Sequence, residues 1–177
     1  MLNKKEYSKY LSYLLRHNPL AANLHMNDQG FVLIDELVAN TNVTREELEE
    51  IVREDNKQRY SIVGNMIRAN QGHSIKVKID FKPYISTKHL YHGTSKEALN
   101  LIQSSGAILQ MSRQFVHLSK DKETAKKVGK RHSHNDMPVI IVIDTKKMLE
   151  DGRQLFESEN GVVLAERVDI KYFVRVE

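Results

Sequence analysis

The sequence predicts an α+β fold in two lobes, and three observations carry that reading. Apolar residues recur at helical spacing early in the chain and lead into a hairpin signal. Short strand-like runs dominate the later part. The charge balance also changes along the chain: residues 1–80 hold 11 Lys/Arg and 11 Asp/Glu, residues 81–177 hold 16 and 12, so the second part carries the whole net charge of +4. The boundary falls at residue 82, giving lobes 1–82 and 83–177.

Tyr7, Tyr10, Leu11, Leu14 and Leu15 follow the i, i+3, i+4, i+7, i+8 pattern of one helical face. This helix runs to Arg16-His17, and Pro19 prevents easy continuation. A short second helix fits Ile34 to Asn40, with Leu37 and Val38 inward. The third starts at Thr44, where Thr44-Arg45-Glu46-Glu47 makes a capping box, and Leu48, Ile51 and Val52 continue its apolar face. Arg59 to Val63 and Met66 to Ala69 flank Gly64-Asn65. Glycine at the first central position suits a type II′ hairpin turn. Three helices and then a hairpin is the winged-helix order, a common nucleic-acid-binding plan.

After Gly72, Ile75, Val77 and Ile79 alternate like a strand, and Phe81-Lys82-Pro83 reads as a connector. Leu90-Tyr91-His92 is a strand. The following helix is capped by Thr94 with Glu97, uses Ala98, Leu99 and Ile102, and closes at Gly106. Phe115 to Leu118 is a strand and a basic helix comes next. Val139 to Ile143 is uninterrupted apolar sequence, so a central strand. Gly161 to Leu164 and Ile170 to Val176 complete the second lobe, which lacks the regular βα alternation of a Rossmann fold.

Composition removes several classes. With 177 residues, 40% of them apolar, the chain can bury a real core. It has no cysteine, which excludes disulfides, thiolate catalysis and Cys-based zinc sites. No apolar run approaches the ~20 residues of a membrane span. The N-terminus lacks the apolar core of a signal peptide, so no membrane and a cytoplasmic location are expected. Nothing requires an oligomer, and a monomer is expected. There is no Gly-x-Gly-x-x-Gly, no Walker loop, no His-Glu-x-x-His and no outstanding carboxylate pair. His132 and His134 lack supporting ligands, so no metal is expected.

Arg16-His17 offers a planar cationic fork for phosphate oxygens beside an imidazole that can donate a hydrogen bond or a proton. Alone, the pair is equally what a helix dipole favours at a C-terminus. Arg59 opens a strand beside Tyr60, and Gln71-Gly72-His73-Ser74 groups donors around a glycine. Tyr91-His92-Gly93-Thr94 puts a strand end before a helix N-terminus, whose N–H groups suit phosphate or ribose hydroxyls. Met111-Ser112-Arg113 precedes Val116-His117-Leu118-Ser119. Lys120, Lys122, Lys126, Lys127, Lys130 and Arg131 stand against Asp121 and Glu123. That segment suits either an anionic partner or a solvated helix face.

In this order, Ser8-Lys9-Tyr10-Leu11-Ser12-Tyr13-Leu14-Leu15-Arg16-His17, Asp55-Asn56-Lys57-Gln58-Arg59-Tyr60, Gln71-Gly72-His73-Ser74, Tyr91-His92-Gly93-Thr94, Met111-Ser112-Arg113 with Val116-His117-Leu118-Ser119, and Glu159-Asn160-Gly161-Val162 closely resemble the NAD-dependent RNA 2′-phosphotransferases, the Tpt1/KptA family. The resemblance implies a winged-helix RNA-binding lobe and an ADP-ribosyltransferase-like, NAD-binding lobe. It implies a tRNA-like RNA with an internal 2′-phosphate, left at a splice junction, and NAD as co-substrate. That phosphate attacks the nicotinamide-bearing ribose carbon and nicotinamide leaves. The ribose 2″-hydroxyl of the ADP-ribosylated RNA then attacks phosphorus, giving 2′-hydroxyl RNA and ADP-ribose 1″,2″-cyclic phosphate. By matching positions, Arg16, His17, Arg59 and Arg113 form the catalytic set, and His92, Gly93, Thr94, His117, Leu118 and Ser119 line the NAD site. Where many ADP-ribosyltransferases carry an activating glutamate, this chain reads Gly161-Val162-Val163-Leu164. An anionic phosphate needs no deprotonation, although Glu157 and Glu159 stand nearby in sequence. A transferase that stops after the first step and a non-catalytic RNA-binding protein are the other readings.

Overall fold

The computed structural model describes residues 3–133 and 136–177. The chain divides into two compact units, Met1–Asp80 with Ser112–Gln114, and Phe81–Met111 with Phe115–Glu177. Both are mixed α+β, with antiparallel pairing throughout the named ladders. The sequence puts residues 112–114 in the second lobe, but they cluster with the first unit.

In the first unit, α1 (Lys4–Arg16) is followed by a 3-10 turn at Pro19–Ala22, β1 (Val32–Leu33), α2 (Ile34–Asn40), α3 (Arg45–Arg53), β2 (Tyr60–Val63) and β3 (Met66–Ala69). Asn3 and Glu6 cap α1 reciprocally, and Thr44 and Glu47 do the same for α3. The strands order β1-β3-β2. Gly64 has φ +59° while Asn65 is not left-handed, which makes the β2–β3 connection the expected II′ turn. Leu11, Leu14, Leu15, Ile34, Leu37, Leu48 and Ile67 are sealed from solvent in one core.

The second unit holds β4 (Lys82–Pro83), β5 (Leu90–Thr94), α4 (Lys96–Ser105), β6 (Ala107–Leu109), β7 (Val116–Leu118), α5 (Lys122–Lys130), β8 (Val139–Ile143), α6 (Thr145–Glu150), β9 (Leu155–Glu157), β10 (Val163–Ala165), β11 (Arg167–Asp169) and β12 (Phe173–Val176). They form three sheets: β4-β9-β10-β7, β11-β6 and β12-β8-β5. All five residues of β8 are buried and the strand is central, which explains its unbroken apolar sequence.

Three expectations are corrected. Residues 75–79 form no strand. Val77 is buried, but no ladder partner adjoins it. The segment instead spends its backbone groups on loops, with Lys78 N–H on the Asp28 carbonyl at 2.7 Å. Lys82–Pro83 is not a bare connector, because it pairs with Glu157 and Phe156 at the edge of a sheet, where proline is tolerated. Thr94 does not cap α4. It is still in ladder register with Val139, and the next residue, Ser95, caps the helix by accepting from Ala98 N–H at 3.2 Å.

Candidate functional site

Arg16 is the last residue of α1, and the buried face of that helix fixes its position. Its carbonyl accepts from Ser74 N–H at 3.0 Å, which clamps the 71–74 loop onto the helix end. Gly72 sits there at φ +90°, and a Cβ on it would lie 3.4 Å from Arg16 Nε and 3.5 Å from Cζ. Loop backbone therefore rests against the guanidinium. Nε and Nη2 of Arg16 are buried and make no hydrogen bond. A buried unsatisfied donor costs about 1–3 kcal/mol. Two on one cation form an unfilled fork, and an anion with two oxygens matches it. Gln71 Oε1, His73 Nε2 and Arg68 Nε are buried and unpartnered too.

The other cations gather around this fork. Asp55 accepts from Arg59 backbone N–H and from Nη1, both at 2.6 Å, so the i,i+4 carboxylate aims the side chain. Arg113 is carried by a strap: Gln114 N–H donates to the His73 carbonyl at 3.1 Å, and Gln114 Nε2 to the Val77 carbonyl at 3.1 Å. Burial pushes the Arg16 guanidinium below its ordinary pKa, with Arg113 and Arg59 adding to this and Tyr60 and Asp55 opposing it. It stays charged, since arginine does not deprotonate in proteins. Partial desolvation, then Arg16 and Arg113, lower the pKa of His17, so its ring is neutral at pH 7. His17 Nδ1 shares a 2.8 Å hydrogen bond with Ser74 Oγ, which orients the ring. The four basic residues singled out in the sequence thus share one electrostatic neighbourhood in the first unit.

The second unit holds the other group. His92 is half-buried, with Nδ1 3.1 Å from the His117 carbonyl. Desolvation lowers its pKa and the charge of His132 adds to this, against the carbonyl contact. The neutral ring donates through Nδ1 to that carbonyl, which leaves Nε2 an acceptor. Tyr91 and Ser119 exchange backbone hydrogen bonds at 2.9 and 2.8 Å, locking the end of β7 to β5. Gly93 has a packing role: a Cβ there would lie 1.7 Å from the Ala125 carbonyl oxygen. With Gly129, whose Cβ would lie 3.0 Å from Thr94 N, it seats α5 directly on β5. Leu118 is in the core, so only its backbone could meet a ligand.

The sequence gives no role to Asp55 or Gln114 and offers Ser74 only as one of the donors grouped around Gly72, whereas all three position the cations. The Asp55–Arg59 spacing was a readable signal; the Gln114 contacts were not, since they span 37 residues or more. Glu157 is engaged by Lys120. Among the described residues, no three His, Asp or Glu side chains gather as for a metal, and His134 lies outside them. No helix among those residues is long and apolar enough to cross a membrane.

A family model described as RNA 2′-phosphotransferase, Tpt1/KptA family, matches residues 3–167. The chain is similar to a probable RNA 2′-phosphotransferase of Acaryochloris marina, 41% identical over 98% of this chain and 97% of the relative. It is 43% identical to the protein of that description from Rhizobium leguminosarum, over 94% of this chain and 91% of the relative. A third, from Fusobacterium nucleatum, is 40% identical over 97% and 98%.

Proposed function

This chain belongs to the RNA 2′-phosphotransferase, Tpt1/KptA family of enzymes, and from that premise we propose that it transfers an internal RNA 2′-phosphate to NAD, giving 2′-hydroxyl RNA, nicotinamide and ADP-ribose 1″,2″-cyclic phosphate. In this reading the first unit is a winged-helix RNA-binding lobe and the second an ADP-ribosyltransferase-like lobe. The observation that carries it is the buried, unfilled fork of Arg16 with Arg59, Arg113 and His17 around it.

Arg16 takes two oxygens of the RNA 2′-phosphate, and Arg59 and Arg113 hold the rest of its charge. The phosphate is already anionic, so the chain supplies no base for the first step. Positioning and fixed charge suffice. NAD supplies the electrophilic ribose carbon and its nicotinamide leaving group. The donor set of the second unit suits a dinucleotide: the Nε2 of His92 accepts from a ribose hydroxyl, and the first backbone N–H groups of α4 offer further donors. Collapse to the cyclic phosphate crowds negative charge on phosphorus, and arginines stabilise such transition states. A bound phosphate raises the pKa of His17, which then hands a proton to the departing RNA 2′-oxygen, while the proton that the attacking 2″-hydroxyl loses passes to solvent.

Product analysis with 2′-phosphorylated RNA and NAD tests the reading. The expected products are 2′-hydroxyl RNA and the cyclic phosphate; stable ADP-ribosylated RNA from the unaltered enzyme sinks it. Arg113→Ala should slow the second step more than the first, so that ADP-ribosylated RNA accumulates. Equal loss in both steps assigns Arg113 to positioning alone.

A further inference from the structure

The first unit contains a groove of about 530 Å³, lined on one side by Lys4, Lys5, Ser8, Lys9 and Ser12 of α1 and on the other by residues 54–57 and Arg59. One of its walls is a stripe. Lys5, Lys9, Ser12 and Arg16 stand at i, i+4, i+7 and i+11 and share a helix face. The stripe runs about 16 Å, at 1.5 Å per residue, and ends on the phosphate fork.

The charges of the groove are not mutually cancelled. Glu54 is taken by Lys4 and Asp55 by Arg59. Lys5 and Lys9 are exposed and have no carboxylate within ion-pair distance among the described residues. They sit one turn apart as like charges, an arrangement that helix electrostatics disfavours. Between them and Arg16, Tyr60 hydroxyl donates to the Ser8 carbonyl at 2.8 Å. The 2.6 Å contact of Ser12 with that hydroxyl is therefore donated by Ser12, whose proton is spent on Tyr60, so the donors of this wall are the two lysines.

The geometry points to this groove as the track for the RNA strand that flanks the 2′-phosphorylated nucleotide, with Lys5 and Lys9 on successive backbone phosphates. This rests on the function proposed above and adds a positioning role to residues that touch no reacting atom. The groove makes the enzyme favour a junction inside a strand over an isolated 2′-phosphate.

The test pairs a 2′-phosphorylated dinucleotide with a 2′-phosphorylated oligonucleotide extended on both sides. Lys5→Ala/Lys9→Ala should lower kcat/KM for the long RNA about tenfold, chiefly through KM, and leave the dinucleotide within about twofold. Binding of the long RNA, measured as a function of salt, should lose about 1.4 from its log–log slope, at about 0.7 per single-strand phosphate. An unchanged slope overturns the inference, as does equal loss on both substrates. The same length-dependent loss in Lys126→Ala/Lys127→Ala, which removes equal charge from α5, overturns it too. If the unaltered enzyme turns over neither substrate, the proposed function fails, while the salt slope still decides the groove.

Discussion

The end of α1 and the crossing of α5 over β5 are opposite solutions to a close approach of chain. At Arg16, glycine backbone closes over a charged side chain and leaves Nε and Nη2 without partners. At Gly93, backbone meets backbone, Tyr91 and Ser119 exchange hydrogen bonds, and β5 pairs along its whole length with β8. The first arrangement costs stability, and the function proposed above gives its two unpaired donors to an anion. The second spends its backbone groups on ladder hydrogen bonds. Electrostatic preorganisation works in this way: the free energy is spent on folding rather than at the moment of reaction.

Substitutions separate the two. The largest effect should come from Gly93→Ala, where the new Cβ meets the Ala125 carbonyl at 1.7 Å. Overpacking against backbone should cost about 3 kcal/mol or more, read as a lower urea midpoint. Arg16→Ala should behave in the opposite sense. Activity should fall roughly 10²–10³-fold, the scale of one lost transition-state donor set, while the melting temperature holds or rises. Arg16→Lys should not restore activity, because an ammonium cannot fill a two-oxygen site as a fork does. A matching fall in stability would mean that Arg16 is structural.

His73 reports on the same corner through pH. It is buried, with Nε2 unpartnered, and burial followed by the charges of Arg16, His17 and Arg68 pushes its pKa down from 6.5 to about 4. Between those values the unfolded chain holds a proton that the folded chain refuses. Stability therefore falls as pH drops from about 6.5 toward 4, by up to about 3 kcal/mol. His73→Gln should flatten that dependence in denaturation curves taken across the window. The smallest effect belongs to the second unit: Ser95→Ala removes one cap from α4 and should cost about 1 kcal/mol by chemical denaturation.

The local elements were legible because their causes are local. The Thr44–Glu47 box, the Gly64 turn, the helical face of α1 and the apolar run of β8 each rest on neighbours within a few residues. The failures share a cause as well. Ile75, Val77 and Ile79 alternate, but a strand also needs an edge to pair with. Thr94 looks like a cap until its register with Val139 keeps it in the ladder.

The candidate site divides in the same way. Sequence alone determined which residues carry the charge, because an arginine fork and an imidazole have their chemistry wherever they lie, and it determined the family through six ordered motifs. It could not determine that residues 112–114 join the first unit, that Arg16 lies buried beneath Gly72 with its donors unmet, or that Gly93 serves packing. Those facts follow from contacts between residues far apart in the chain, where burial sets the dielectric and the hydrogen-bond partners of each group, and burial exists only once the chain has folded.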